Sequence, residues 1–205
     1  MSFYEYLIET FGYNEPIFPG EIAFGSYSKP WINKELAKLC EERKLIRFEK
    51  GVYYVPKNTP LGPSSLNPMK IIDKRYILDG GERSGYYSGP SFLNWIGLSD
   101  QVPGTVEIYT NNESSKVREI LVGPVKVLLR RARVKIDNGN VAVQSFLELM
   151  NSVNPSFFDD ERKRITESFI RDNGITRGDI TKYASYFPDK SMRNLIESEM
   201  IYCVA

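Results

Sequence analysis

Apolar residues in the first sixty positions recur first with a helical and then with a strand period. Phe3, Leu7, Ile8 and Phe11 stand at helical spacing, and Gly12, Asn14 and Pro16 end that helix. Residues 19–24 are long enough for one short helix, and Gly25-Ser26-Tyr27-Ser28 reads as a turn. A further helix starts near Pro30, since proline is favoured in a first turn, with Ser28 as a nearby capping candidate. It runs to about Lys44. At about 100° per residue, Ile32, Leu36, Leu39 and Cys40 share one face. Lys34, Lys38 and Glu41 lie opposite, flanked by Asn33, Ala37 and Lys44. Leu45-Ile46-Arg47-Phe48 and Val52-Tyr53-Tyr54-Val55 then flank Glu49-Lys50-Gly51, the pattern of a β-hairpin with Gly51 free to take a positive φ.

Residues 56–68 interrupt the pattern with Pro56, Pro60, Pro63 and Pro68. Proline removes a donor and fixes φ, so no helix or central strand is expected to run through. The segment reads as a linker between residues 1–57 and residues 58–205. Beyond it, 64–76 suits a helix, and Gly85-Tyr86-Tyr87-Ser88-Gly89-Pro90 reads as a turn into a short helix over 91–96. Strands are predicted over 105–110, 117–122 and 125–134, and a helix over 141–150. The tail has helix-like stretches broken by Gly174, Gly178 and Pro188.

Composition adds exclusions. The chain has 205 residues, 41% hydrophobic and 26% charged, as in an ordinary globular protein. It holds no His and two Cys, Cys40 and Cys203. That removes the Ser-His-Asp triad, the Cys-His pair, the His-ligated zinc site and the CxxC motif. The N-terminal residues are acidic, unlike the basic start of a signal peptide, and no run reaches about 18 apolar residues. The expected compartment is a reducing cytoplasm.

The net charge of +1 conceals asymmetry. Residues 1–28 carry four acids and no base, while 29–57 carry eight bases against four acids. Residues 116–135 carry seven bases and one acid, Glu119. Helix, short helix, basic helix and hairpin within sixty residues is the winged helix-turn-helix pattern. A helix fits the major groove, and basic side chains on its outer face release counterions from phosphates. Ser28, Lys29, Asn33, Lys34, Lys38, Lys44, Arg47 and Lys50 are the candidate DNA contacts. The bland reading is that the lysines merely solvate a helix; the coincidence of basic block and wing favours DNA. Trp31 reads as core or helix-entry packing. In the second block Lys116, Arg118, Arg131, Arg133 and Lys135 make a second candidate surface. Arg131, Arg133 and Lys135 are expected to share one strand face by the period of two. Either it is the solvated face of an antiparallel sheet, or it attracts nucleic acid or an acidic protein.

Enzyme chemistry finds little support. Gly80-Gly81-Glu82-Arg83-Ser84-Gly85 lacks the ending of a phosphate-binding loop, and Tyr86-Tyr87-Ser88-Gly89 is not a nucleophile elbow. Asp159-Asp160-Glu161 reads as the start of a helix, where the macrodipole favours acids, rather than as a metal site. No enzyme activity, cofactor or metal is expected.

Several runs together resemble one family. They are Ile32-Asn33-Lys34-Glu35-Leu36-Ala37-Lys38-Leu39, Gly51-Val52-Tyr53-Tyr54-Val55-Pro56 and Thr59-Pro60-Leu61-Gly62. Gly85-Tyr86-Tyr87-Ser88-Gly89, Leu93-Asn94-Trp95-Ile96-Gly97-Leu98-Ser99, Gln101-Val102-Pro103, Thr110-Asn111-Asn112 and Arg130-Arg131-Ala132-Arg133 follow in order. The chain resembles the AbiEi antitoxins of bacterial type IV toxin–antitoxin systems over roughly residues 19–151. The resemblance implies an α+β protein, an N-terminal winged helix-turn-helix followed by a mixed α/β antitoxin domain. It implies a repressor that binds inverted repeats in the promoter of its own operon, with the possibility of a dimer on DNA. It also implies a functional partner, a nucleotidyltransferase-like toxin, countered without a stable complex; from the lack of a long apolar run, no membrane partner is expected. The alternative is a protein-interaction module that binds an acidic partner through its basic sheet, with a vestigial winged helix.

Overall fold

The computed structural model describes residues 1–204 as a mixed α+β chain. It divides into two compact units, Met1–Lys74 and Arg75–Ala205. The sequence suggested a division after residue 57. Residues 58–74 instead belong to the first unit.

In the first unit α1 spans Phe3–Phe11. A capping box starts it: Ser2 Oγ accepts from Glu5 N–H at 3.2 Å, and Glu5 accepts from Ser2 N–H at 2.7 Å. Gly12, at φ +84°, ends it. The short helix expected over 19–24 is only a 3-10 turn, Pro19–Glu21. Its continuation is diverted because Ala23 N–H donates to Tyr6 Oη at 3.1 Å and Phe24 joins an aromatic cluster.

α2 spans Lys29–Glu41 and buries Ile32, Leu36 and Leu39 against Phe3, Leu7, Ile17 and Ile22. Cys40 is half-buried beside them. The helix ends before Lys44 because Arg43 turns left-handed at φ +57°, and Lys44 N–H reaches back to Leu39 O at 3.0 Å. β1 (Ile46–Glu49) and β2 (Val52–Tyr54) form the expected antiparallel hairpin, with a bulge after Arg47 and Gly51 at φ +79°. The other side of β2 is also paired, since Ile17 and Tyr53 exchange N–H···O bonds of 2.7 and 3.0 Å.

The proline-rich segment is ordered. β3 (Asn58–Thr59) and β4 (Gly62–Pro63) make a small hairpin. Ser64 Oγ ties it down by donating to Asn14 Oδ1 at 2.6 Å and accepting from Lys57 N–H at 2.9 Å. α3 (Pro68–Ile72) is capped by Asn67 and passes into a π-helical turn, Asp73–Ile77, where one helix over 64–76 was expected. Lys70 pairs with Glu15, and Lys74 pairs with Glu21 at 2.6 Å.

The second unit begins with a two-residue hairpin, β5 (Leu78–Asp79) and β6 (Glu82–Arg83). Gly80 and Gly81 both take positive φ there, so this glycine pair serves a turn. The expected turn at 85–88 is a strand, β7 (Gly85–Ser88), leading into α4 (Gly89–Trp95). A four-stranded sheet follows in the order β7-β8-β10-β9, with β8 (Val106–Thr110), β9 (Val117–Val122) and β10 (Val125–Arg131). β8 and β10 are parallel, and the other neighbours are antiparallel.

α5 (Val141–Ser152) is the central helix, buried along most of its length. It packs on β7 and α4, and on two of the elements that follow, α6 (Asp160–Asp172), α7 (Arg177–Tyr183) and α8 (Asp189–Glu197), namely α7 and α8. Phe146, Leu147, Met150 and Leu195 are among the buried residues of this core. Asn194 closes the end of α5 by donating to Met150 O at 2.8 Å and Val153 O at 2.6 Å. Asp159 caps α6 by accepting from Arg162 N–H at 2.9 Å, so the acidic run does start a helix. Gly174, at φ +60°, ends α6 as expected. Gly178 breaks nothing and lies inside α7, where the Thr176–Asp179 capping box offsets a cost of about 1 kcal/mol for one helical glycine. No helix among the described residues is long and apolar enough to cross a membrane.

Candidate nucleic-acid interface

The apolar periodicity of α2 decides which of its side chains face water. With Ile32, Leu36 and Leu39 buried, Lys29, Asn33, Lys34 and Lys38 are left exposed. Ser28 sits at the N-cap position, is exposed, and makes no side-chain cap bond. Lys44, Arg47 and Lys50 are exposed as well, the last beside Gly51 at the hairpin tip. All eight candidate positions are thus solvent-facing in one compact unit.

Their charges are not equally available. Lys44 pairs with Glu42 at 2.8 Å, and that hydrogen bond raises its pKa. Its ammonium also lies 5.9 Å from the centre of the Tyr4 ring. Arg47 Nε donates to Glu49 O at 3.4 Å. Lys29, Lys34, Lys38 and Lys50 form no ion pair among the described residues, which leaves their charges the least encumbered of the basic candidates.

One feature beside these residues escapes a search for charge. Tyr27 stacks on Trp31 with ring centroids 3.9 Å apart and planes 20° apart, yet stays 53% exposed. Trp31 is partly buried and meets Phe3 edge-on at 5.4 Å, the helix-entry packing expected of it. The four-residue spacing of Tyr27 and Trp31 is the signal in the sequence that marks this pair.

The second basic block is dispersed. β10 stops at Arg131, and Ala132 N–H makes the last bond of its ladder with β8, to Thr110 O at 3.0 Å. Arg131, Arg133 and Lys135 therefore do not share a strand face. Arg133 turns inward and donates from Nε to Glu148 Oε2 at 2.9 Å and from Nη2 to Tyr109 Oη at 3.1 Å. Its guanidinium lies 5.3 Å from the centre of the Tyr109 ring and 5.4 Å from that of Phe187. Burial opposes its charge, but the Glu148 carboxylate outweighs that and raises its pKa. Arg118 pairs with the buried Glu113 at 2.7 Å. Lys116, Arg131 and Lys135 stay exposed but lie on three different stretches of backbone.

Sequence reasoning also passed over the polar face of α5. Gln144, Glu148 and Asn151 follow helical spacing, and the first two are buried. Glu148 accepts from Tyr109 Oη at 3.3 Å and Asn151 Nδ2 at 2.9 Å, besides Arg133. Tyr86 stacks on Tyr109 at 5.5 Å, but its hydroxyl is buried without a partner. Compared with protein-family models, with curated proteins and with solved structures, the chain matches none of them.

Proposed function

We propose that this protein is a DNA-binding transcriptional repressor and antitoxin, whose first unit is a winged helix-turn-helix. α2 would enter the major groove and the β1–β2 hairpin would lie along the flanking phosphates. The observation that carries the reading is the two-faced character of α2. Its apolar face is buried, while Asn33, Lys34 and Lys38 face solvent in the same unit as a basic hairpin tip. The pairing of Ile17 with Tyr53 adds a third short extended segment to that hairpin, which suits a wing.

On this reading the protein acts in the cytoplasm and represses its own operon through inverted repeats, as two copies on one site. It counters a nucleotidyltransferase-like toxin without forming a stable complex, and it performs no catalysis. The rival interaction module needs a continuous basic sheet, and the inward turn of Arg133 weighs against it.

Two experiments test the two halves. Nuclease footprinting on the DNA upstream of the gene should protect two half-sites whose centres lie about one helical turn, or a multiple of it, apart. Co-expression with the neighbouring reading frame should restore growth while the two products fail to co-purify. Absence of any footprint removes the repressor reading, and failure to restore growth removes the antitoxin reading.

A further inference from the structure

We propose that Tyr27 is a direct DNA contact, whose exposed ring packs against a thymine methyl in the major groove. The inference rests on the DNA-binding reading and adds a contact that the basic residues do not supply.

Lysines on α2 can hold phosphates, but phosphate contacts carry no direct sequence information. A side chain whose position is fixed before binding reads a base at a smaller entropic cost. Tyr27 has that property. Its ring lies nearly parallel to Trp31 at 3.9 Å and to Phe24 at 5.5 Å. Phe24 in turn touches Phe3 at 5.2 Å and Tyr6 at 5.0 Å, so the stack is rooted in the core. Still, 53% of Tyr27 is open to solvent. An aromatic ring held rigid by its neighbours and left half exposed loses little side-chain entropy on binding.

Its surroundings choose the partner. Between Glu21 and Glu35 the chain has no acid, while Lys29 and Lys34 are both exposed. Tyr27 directly precedes Ser28 at the start of α2, and Asn33 lies little more than one turn into that helix. A groove-bound helix brings such residues to base edges. Of the groups the major groove displays, the thymine methyl is the apolar one.

The test compares upstream operator DNA with the same duplex in which every thymine is replaced by uracil, which deletes only the methyl groups. Binding is followed by fluorescence anisotropy for the full-length wild type, Tyr27→Ala and Tyr27→Phe. The wild type should lose about three- to tenfold in affinity on the uracil duplex. Tyr27→Ala should lose a similar factor on the thymine duplex and respond at least threefold less to the exchange. Tyr27→Phe should match the wild type. A wild type indifferent to the exchange overturns the proposal without needing any variant. So does a Tyr27→Ala protein as sensitive as the wild type, or a Tyr27→Phe protein as weak as Tyr27→Ala, which would make the hydroxyl the contact. In all three cases operator binding itself survives. If the wild type fails to prefer the operator over scrambled DNA, the underlying repressor reading falls, and the proposal with it.

Discussion

Arg133 donates from Nε to Glu148 Oε2 at 2.9 Å, and the two side chains keep only 25% and 8% of their exposure. The arginine thus belongs to the interior of the second unit, not to a basic surface. Breaking a buried pair from one side leaves an uncompensated charge, which costs about 3–5 kcal/mol. Glu148 keeps Tyr109 and Asn151 as donors, so Arg133→Ala should lose about 3 kcal/mol in urea unfolding. Lys116→Ala and Lys135→Ala should each stay within about 0.5 kcal/mol. Equal effects from all three would return Arg133 to the surface.

The Tyr86 hydroxyl lies beside that pair, buried without a partner. Burial first, then the charge of Glu148, pushes its pKa well above the ordinary tyrosine value. A raised folded-state pKa means stability is fully present below the unfolded value of about 10 and is lost as pH rises beyond it. Tyr86→Phe should be as stable as the wild type at pH 7, or more stable by up to about 1 kcal/mol. It should also lose less stability as pH climbs above about 10, with Tyr109, also raised by burial and by Glu148, accounting for part of the remainder. A clear loss at pH 7 would mean that the hydroxyl is satisfied in solution.

Gly85 shows why β7 reads as a turn in the sequence. Glycines at 85 and 89 and a proline at 90 look like turn chemistry, yet only Gly89 has a positive φ. Gly85 is there for close approach: a Cβ would run into the Tyr76 carbonyl oxygen and lie 2.8 Å from that of Tyr109. Gly85→Ala should therefore cost about 3 kcal/mol or more, or prevent folding. Unchanged thermal unfolding would contradict this packing.

The same contrast runs through the whole chain. α2 and its hairpin are legible in the sequence because Ile32, Leu36, Leu39 and Gly51 act locally, through period and φ. The expected strand over 125–134 is too long because Arg131, Arg133 and Lys135 alternate by sequence, whereas β10 ends where Ala132 bonds Thr110. The buried stripe of α5 is hidden for a related reason. Gln144 and Glu148 mimic a solvated face, and only the tertiary partners Tyr109 and Arg133 explain their burial. Tyr27 escapes a reading by charge because what sets it apart is its stacking on Trp31.

Lys34 and Lys38 stand exposed on α2 without ion pairs among the described residues. Replacing both by Ala should leave the unfolding midpoint unchanged and weaken operator binding about tenfold or more. The slope of log K against log salt should shrink by about 2, one unit for each phosphate that is no longer neutralised. Unchanged affinity would move the DNA-binding face elsewhere.

The central claim is that this chain recognises its own upstream DNA. A competition titration tests it most directly, with labelled operator against unlabelled operator or a scrambled duplex, repeated across salt concentrations. The account predicts a preference for operator of about a thousandfold or more, with affinity falling steeply at a slope of about −4 per bound unit. Equal competition by the scrambled duplex, or an affinity that salt does not change, would contradict it.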